Sequence, residues 1–277
     1  MIFEKKILSS FDGIELELEI KETGAPSWLI ITHGIGEHLR RHYFLAELFS
    51  GTYNFLFYDL RGHGKSQGKR VYVDNFSNYY RDLGQIIWYL KENYRMERYN
   101  LFGHSMGGLI TAGYVQKLNE YDFYPSKVFL SSPFLQPAGK LGRSLIHLRL
   151  LLQKLSKIKS SIAIKGLIDL KGLSHDSRIV EEYMADELVS KSLESRLLLK
   201  MVEEGMEVFS KPLNCLCPLA CSVGQSDRIV STEAIVKYFR SVESNAQLKV
   251  IGDGYHELHN EVQRIREKYF DFLKSFF

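Results

Sequence analysis

The pentapeptide Gly103–Gly107, with the sequence GHSMG, joins the apolar run Tyr99–Phe102 to the helix-like run Gly108–Leu118. Glycines on both sides of Ser105 suit a sharp turn from strand to helix, because they remove Cβ atoms that would collide there. On such a turn a serine hydroxyl can meet a base and amide donors, which a serine nucleophile requires. The pattern alone is weak support, but its place between a strand and a helix predicts Ser105 as a nucleophile.

Composition and charge exclude several classes of protein. The chain has 277 residues, 45% of them hydrophobic, which suffices for one large α/β domain or two smaller ones. No run of about 18 apolar residues is available to span a bilayer. The first twenty residues alternate Glu with Leu and Ile, whereas a signal peptide needs an unbroken apolar core. We therefore expect a globular cytoplasmic protein, and the net charge of +3 argues against nucleic acid as a partner.

Hydrophobic periodicity predicts a hairpin followed by alternating strands and helices. Two alternating runs, Phe3–Leu8 and Ile14–Ile20, flank a turn at Asp12-Gly13 and indicate an antiparallel hairpin. Continuous apolar runs, typical of strands buried on both faces, follow at Trp28–Ile31, Asn54–Tyr58, Tyr99–Phe102 and Lys127–Leu130. Segments of helical length and period separate them at Arg41–Phe49, Phe76–Tyr94 and Ser105–Leu118. This order predicts an α/β fold with a mostly parallel, doubly wound sheet.

The alternation of strands and helices stops after Ser132-Pro133. Residues 134–210 have helical patterns and no convincing strand, and we interpret them as an inserted helical cap. The alternation resumes with a strand at Leu219–Val223, a helix at Thr232–Ser241, a strand at Gln247–Ile251 and a closing helix at Glu261–Phe277. The predicted domains are a core of residues 1–133 and 211–277 and a cap of residues 134–210.

An acid and a base follow the later strands. Asp227 comes after Leu219–Val223, and His256 comes after the last predicted strand. The carboxyl ends of parallel strands open into one crevice, so both side chains can reach Ser105. The chain order Ser, Asp, His is the one expected for a nucleophile on a strand-to-helix turn. We predict that Ser105 attacks a carbonyl, His256 carries the proton, and Asp227 holds the imidazole.

Each of these residues has an alternative explanation. Asp227 could serve only to make a turn, and His256 could be a surface loop histidine. Asp253 is a rival acid, but it is too close to His256 in sequence to lie on another strand's loop. His259 is a rival base, and we expect it to open the last helix.

An oxyanion hole needs two backbone amides, one of them from the residue after the serine. That residue is Met106. We assign the second amide to Ile35, in the glycine-bracketed turn that follows the strand Trp28–Ile31. The alternative is that this turn only connects a strand to a helix.

Other clusters of polar residues indicate neither a cofactor nor a metal. The glycine-rich stretch 59–68 lacks the spacing of a phosphate-binding loop, so we interpret Arg61 and His63 as hydrogen-bonded scaffold. His104 is likewise predicted to support the site. No histidine lies near the three cysteines to complete a zinc set, and we expect buried thiols in or beside a strand, at Cys215, Cys217 and Cys221.

Taken together, these motifs resemble the monoacylglycerol lipase and lysophospholipase branch of the α/β-hydrolases. The resemblance rests on HGIGEH at 33–38, YDLRGHGKSQG at 58–68, GHSMGG at 103–108, GQSD at 224–227 and YHELHNE at 255–261. It implies an α/β-hydrolase fold and a serine esterase that cleaves single-chain lipid esters through an acyl-enzyme, with the cap shaping an acyl tunnel. The sequence departs from the family pattern at Leu39-Arg40, where relatives often have Ser-Gly, and at His42, where Tyr is common.

The cap segment contains a basic stretch. Residues 140–171 hold eight Lys or Arg and one Asp. A leucine stripe with helical spacing runs through it, at Leu141, Leu145, Leu148, Leu152 and Leu155, and Arg143, His147, Lys154 and Lys157 lie off that stripe. Two interpretations are open: a lid that contacts an anionic membrane surface peripherally, or a stripe packed over the sheet with its charges in water.

Two further functions are also open at this point. The same scaffold supports short-chain carboxylesterases, thioesterases and aminopeptidases. A catalytically silent α/β-hydrolase that binds a small ligand is the alternative from a different class of protein, although such proteins typically lack part of the catalytic set. The sequence does not reveal the oligomeric state.

Overall fold

The computed structural model of the chain describes residues 2–139, 161–166 and 169–277. Ten strands lie within these ranges: β1 Glu4–Ser9, β2 Glu15–Lys21, β3 Trp28–Thr32, β4 Asn54–Tyr58, β5 Tyr99–His104, β6 Lys127–Ser131, β7 Ala163–Lys165, β8 Ser192–Glu194, β9 Leu219–Gly224 and β10 Gln247–Ile251. Eight of them form one sheet in the order β1-β2-β4-β3-β5-β6-β9-β10. β1 and β2 form the predicted antiparallel hairpin, and β2 pairs antiparallel with β4. From β4 to β10 every pairing is parallel.

The parallel strands are continuous apolar runs because both of their faces are covered. Every residue of β3, β4, β5 and β9 is buried. The helices among the described residues are α1 Phe44–Leu48, α2 Ser77–Tyr94, α3 Met106–Val115, α4 Ser177–Ala185, α5 Ser195–Val208, α6 Thr232–Ser241 and α7 Gln263–Phe276. Residues of α2, α3 and α6 belong to the core on one face of the sheet, and residues of α1 and α7 belong to the core on the other. The predicted doubly wound α/β fold is confirmed.

Some element boundaries differ from the prediction. The first predicted helix is a 3-10 turn, Leu39–His42, followed by the short helix α1. The closing helix begins at Gln263, later than predicted, and His259 lies in a separate 3-10 turn, Leu258–Asn260, before it. Within the described ranges, none of the helices combines the length and the apolar character needed to cross a bilayer.

The expectation that residues 134–210 hold no strand was wrong. β7 and β8 pair antiparallel, with Ile164 opposite Leu193. Ser195 extends the pairing, because its amide donates to the carbonyl of Ile162 at 2.9 Å. Each strand has three residues, which is too short for alternation to be recognised in a sequence. The helices α4 and α5 agree with the helical pattern, and the division into core and cap stays a prediction.

The leucine stripe and most of the basic stretch lie outside the described residues. The residues that fall outside are the five leucines of the stripe, from Leu141 to Leu155, and the four residues beside it, Arg143, His147, Lys154 and Lys157. The sequence remains the only basis for the two interpretations of that stretch.

A close approach of two backbones fixes the start of α3. A Cβ atom on Gly107 would lie against the carbonyl oxygens of Thr32 and His33, well inside any real contact distance. The glycine therefore lets the first turn of α3 rest directly on the carboxyl end of β3. This contact places Ser105 beside the loop that follows β3.

We predict opposite effects from the same substitution at two glycines. Gly107→Ala should lower the free energy of unfolding by about 1–3 kcal/mol, because the new methyl group overpacks against backbone. Gly84→Ala is the matched control within α2, where the new Cβ would meet the Tyr114 ring at an ordinary 3.6 Å. It should raise the free energy of unfolding by about 0.5–1 kcal/mol. Chemical denaturation measures both, and an unchanged stability of Gly107→Ala would contradict the close approach.

Candidate active site

Ser105 lies on the turn between β5 and α3 in a strained backbone conformation. Its φ is 54° and its ψ is −118°, a region that residues with a side chain rarely occupy. The turn is held in place because the Ser105 amide donates to the carbonyl of Ser131 on β6 at 2.9 Å. The strain is therefore imposed by neighbouring structure, and it directs the hydroxyl away from the sheet into the crevice.

The three predicted catalytic side chains form one continuous hydrogen-bonded row. The Ser105 hydroxyl lies 2.9 Å from His256 Nε2. On the other side of the ring, His256 Nδ1 lies 2.8 Å from Asp227 Oδ2. An ionised carboxylate only accepts hydrogen bonds, so Nδ1 donates and Nε2 is left to accept from the serine. The structure thus brings together residues that lie far apart in sequence, in the arrangement required for a serine nucleophile and its base.

Backbone amides hold the Asp227 carboxylate in its orientation. Its Oδ1 accepts from the amides of Ile229 and Val230 at 2.8 and 2.9 Å, which leaves Oδ2 for the imidazole. The rival acid Asp253 is exposed and accepts from Arg264 instead. Asp227, rather than Asp253, is therefore the acid that orients His256.

Electrostatics favour the charged form of His256. Burial of the ring works against a positive charge, but the charge and hydrogen bond of Asp227, together with other nearby carboxylates, keep the pKa of His256 above its usual value. Glu257 and Glu37 act in the same direction more weakly. The same carboxylates would therefore stabilise the imidazolium that forms when the ring takes the serine proton.

The loop that follows β3 lies directly against the serine. A Cβ atom on Gly34 would be 3.2 Å from the Cβ of Ser105, and Ile35 lines the same small cavity as Ser105 and His256. In the described part of the chain, the amides of Ile35 and Met106 donate to no other protein group. Both are therefore available to a ligand, as an oxyanion hole requires.

A buried ion network that the sequence analysis missed supports this loop. The Glu37 carboxylate accepts hydrogen bonds from the Gly34 amide, from His42 Nε2 at 3.0 Å and from Arg41 Nε at 3.2 Å. Arg41 Nη2 also donates to both oxygens of Glu257, at 2.9 and 2.6 Å. Burial alone would raise the pKa of Glu37, but its hydrogen bond to His42 and its electrostatic interactions with His42, His104 and Arg41 hold that pKa well below the usual range. The network ties the loop after β3 to the loop that carries His256.

Only part of this network had a signal in the sequence. Glu37 and Arg41 have the i, i+4 spacing of an ion pair on one face of a helix. Glu257 lies 216 residues from Arg41, so no local pattern could connect them.

The other predicted support residues are buried beside the site. The His104 ring lies 5.0 Å from the His256 ring, and burial holds the pKa of His104 well below its usual value. Arg61 is buried and paired with Asp82 and Asp12. The His63 ring contacts the carbonyl of Arg61 at 3.0 Å, and burial lowers the pKa of His63 to about 3. None of these three side chains hydrogen-bonds to Ser105, His256 or Asp227, which agrees with a supporting position.

His259 is not placed as a base for Ser105. Its ring is buried and stacks on Phe44 with the ring centres 4.8 Å apart. Burial holds the pKa of His259 well below its usual value. Among the described residues, no group of three or more His, Cys, Asp or Glu side chains is arranged to hold a metal ion.

Two cavities adjoin Tyr183 of α4. The smaller, about 50 Å³, contains Ser105 and has apolar walls from Ile35, Leu173 and Ile229 and acidic walls from Glu37 and Glu257. The larger, about 340 Å³, is mainly apolar and is lined by Ile164, Leu170, Met184 and Leu193 among others. Tyr183 lines both. A small, mainly apolar chamber with two acidic side chains in its wall thus lies at the serine, next to a larger apolar chamber formed by the cap segment.

A strand-turn-helix serine, a parallel sheet and an acid and a histidine on later loops define the class of α/β-hydrolases. The fold agrees with a solved structure of a soluble variant of monoglyceride lipase from Saccharomyces cerevisiae. The TM-score is 0.83 at 19% identity, covering 99% of this chain and 94% of that one.

The family described as serine aminopeptidase, S33, matches residues 25–263, and the chain belongs to this family. It is 29% identical to monoglyceride lipase of Mus musculus over 249 residues, 88% of this chain and 80% of the relative. It is 27% identical to monoacylglycerol lipase of Mycolicibacterium smegmatis over 241 residues, 85% of this chain and 83% of the relative. The expectation of a serine hydrolase is confirmed, and with these relatives the chain is a carboxylic ester hydrolase.

The raised pKa of His256 leads to a prediction about how kcat/KM depends on pH. A histidine that acts as base must be neutral, so kcat/KM should rise as pH increases through its raised pKa. Glu257→Gln removes a negative charge that favours the imidazolium. It should therefore lower this pKa and move the acid limb of the pH profile to lower pH.

The matched control is Glu267→Gln, which removes a charge from an exposed position on α7. Its pH profile should coincide with that of the unmodified protein. A shift of the Glu257→Gln limb to higher pH would contradict the assigned electrostatics.

Proposed function

We propose that the protein hydrolyses single-chain lipid esters such as monoacylglycerols through an acyl-enzyme on Ser105. The observation that carries this proposal is the buried row of hydrogen bonds from Ser105 through His256 to Asp227. A neutral serine hydroxyl is a poor nucleophile, and this row provides the base that activates it. The amides of Ile35 and Met106 are the proposed donors to the oxyanion.

In the first half of the reaction, Ser105 Oγ attacks the ester carbonyl while His256 Nε2 takes the hydroxyl proton. The negative charge that develops on the carbonyl oxygen is stabilised by the two amides. His256 then returns the proton to the leaving alcohol, and the acyl group stays on the serine. In the second half a water molecule attacks the acyl-enzyme with His256 again as base, which releases the fatty acid and restores the serine.

The two cavities support a substrate with a polar head and an alkyl chain. The apolar chamber beside α4 suits an alkyl chain, since burial of each methylene contributes about 0.8 kcal/mol. Glu37 and Glu257 suit a head group with hydroxyls, because each carboxylate has lone pairs beyond those used by the network. The same two carboxylates would repel an anionic phosphate. Both points favour a neutral glycerol ester over an anionic lysophospholipid.

Two parts of the proposal rest on sequence alone. The basic stretch that would contact a membrane surface falls largely on residues 140–160, outside the described ranges. Peripheral membrane contact and a cytoplasmic location therefore stay predictions.

Ser105→Ala tests the nucleophile directly. We expect the hydrolysis of a medium-chain monoacylglycerol to fall by several orders of magnitude, and covalent labelling by a fluorophosphonate probe to disappear. Ser226→Ala is the matched control, since Ser226 is exposed and adjoins Asp227 in the same loop. It should keep both rate and labelling, whereas a Ser105→Ala protein that keeps them would refute the assignment.

A substrate panel tests the class of ester. The value of kcat/KM for monoacylglycerols should increase with acyl length, by up to about fourfold per methylene, until the apolar chamber is filled. Lysophosphatidate of the same chain length should be cleaved more slowly, because a phosphate in the cavity at Ser105 would meet the carboxylates of Glu37 and Glu257. Faster cleavage of short esters, thioesters or aminoacyl amides would indicate another acyl hydrolase on this scaffold.

A further inference from the structure

Two of the three cysteines lie side by side in the loop that leads into β9. The Sγ atoms of Cys215 and Cys217 are 3.5 Å apart. Both side chains are half-buried, and the neighbouring loop residues Asn214 and Leu216 are exposed. The sequence analysis expected buried thiols, which describes only Cys221, within β9. The loop therefore presents a pair of thiols near the surface.

Anchors on both sides of the pair hold the loop in this shape. Asn214 has a left-handed backbone with φ 52°, which turns the chain just before Cys215. The Leu213 amide donates to Glu243 at 2.8 Å, and the Leu216 amide donates to the Tyr124 hydroxyl at 3.2 Å. The contact between the two sulfur atoms thus belongs to an ordered loop.

The surroundings give the two thiols different characters. The hydrogen bond between the two sulfur atoms, with another from Tyr124, lowers the pKa of Cys215 against the effects of burial and Glu243. The same hydrogen bond and burial raise the pKa of Cys217. Cys215 is therefore the better thiolate, and Cys217 is a protonated thiol within reach of it, which is the arrangement of an attacking and a resolving cysteine.

We propose that Cys215 and Cys217 are a redox-active dithiol that small-molecule disulfides convert reversibly to an intramolecular disulfide. The Cys215 thiolate attacks one sulfur of the small disulfide, forms a mixed disulfide and releases one small thiolate. The Cys217 thiol then loses its proton and attacks Cys215 Sγ, which breaks the mixed disulfide and releases the second small thiolate. Two protein thiols are oxidised, one small disulfide is reduced to two thiols, and the two protons pass to the released thiolates.

The ring closed by this bond contains a single intervening residue, Leu216. So short a ring forces the disulfide away from its preferred geometry, and strained disulfides are easily reduced again. The bond should therefore form only in an oxidising thiol buffer and should open when reductant is added.

The dithiol is distant from Ser105. It precedes the first residue of β9, whereas Asp227 follows the last, and β9 has six residues. At a rise of about 3.3 Å per residue, roughly 20 Å of strand separates the dithiol from the catalytic end of the sheet. Ester hydrolysis should thus be unchanged by oxidation, and a failure of the proposed esterase function would leave the test of the dithiol intact.

The test equilibrates the purified full-length protein with glutathione buffers of increasing disulfide fraction. The reaction is quenched with acid, free thiols are alkylated with N-ethylmaleimide, and intact and peptide masses are measured. We expect two of the three maleimide adducts to disappear together, with no glutathione retained. The peptide that carries Cys215 and Cys217 should be lighter by two hydrogen atoms, and dithiothreitol should restore both adducts.

Three serine variants assign the chemistry. Cys217→Ser should keep one glutathione on Cys215, because the resolving thiol is absent. Cys215→Ser should lose the rapid attack on glutathione disulfide, because the more reactive thiol is absent. Cys221→Ser should behave like the unmodified protein. The proposal is overturned if three adducts persist at every buffer composition, if glutathione remains on the unmodified protein without ring closure, or if Cys221→Ser abolishes the paired loss.

Discussion

The contact between the first turn of α3 and the carboxyl end of β3 is the constraint on which the site depends. It is possible only because Gly107 lacks a side chain where the Thr32 and His33 carbonyls lie. With α3 seated there, the chain must leave β5 through a left-handed Ser105, and the amide of Ser105 reaches Ser131 on the neighbouring strand. The serine is therefore positioned by backbone packing at the centre of the sheet, where β5 is hydrogen-bonded to β3 on one side and to β6 on the other. Elements of this kind are the least able to shift, which suits a group that must be aligned with a base and two amides.

The same region concentrates buried charge. Asp227, Glu37 and Glu257 are nearly inaccessible, and Arg41 is the buried guanidinium that joins two of them. Burying ions costs stability unless each is paired and hydrogen-bonded, and here each carboxylate accepts several hydrogen bonds. The field of these carboxylates raises the pKa of His256. These buried ion pairs thus add little to the stability of the fold, but their carboxylates favour the imidazolium on which the proposed reaction depends.

Much of the fold was readable from the sequence because its physical signals are local. A strand covered on both faces must be apolar throughout, so β3, β4 and β5 could be located as short continuous runs. Asp227 and His256 could be chosen because parallel strands deliver their carboxyl ends to one edge. The Arg41–Glu257 pair could not be predicted, since its partners meet only after the loops after β3 and β10 converge. β7 and β8 were not predicted for a different reason. Each has three residues, which are too few to show the alternation of apolar and polar side chains typical of a strand.

The cysteines show a further limit of local patterns. Burial is the ordinary state of a free thiol, and Cys221 within β9 follows that rule. What distinguishes Cys215 and Cys217 is the left-handed turn at Asn214. Asparagine tolerates this backbone conformation, but its presence in a sequence does not predict it. The Tyr124 hydroxyl, which accepts a hydrogen bond from the Leu216 amide between the two cysteines, comes from a segment about ninety residues earlier in the chain.

The loop that follows β3 links the proposed oxyanion hole to the cap segment. On its inner side, the Gly34 amide is held by Glu37. On its outer side, the Gly36 carbonyl accepts from Ser190 at 2.8 Å, and His38 lies 2.7 Å from Asp186 at the end of α4. Arg41 completes the link, because its guanidinium lies 5.2 Å from the centre of the Tyr183 ring while it pairs with Glu37 and Glu257. A displacement of α4 would therefore remove contacts from the same loop that carries Ile35, the proposed oxyanion donor, so the position of the cap segment and the geometry around the serine are mechanically coupled.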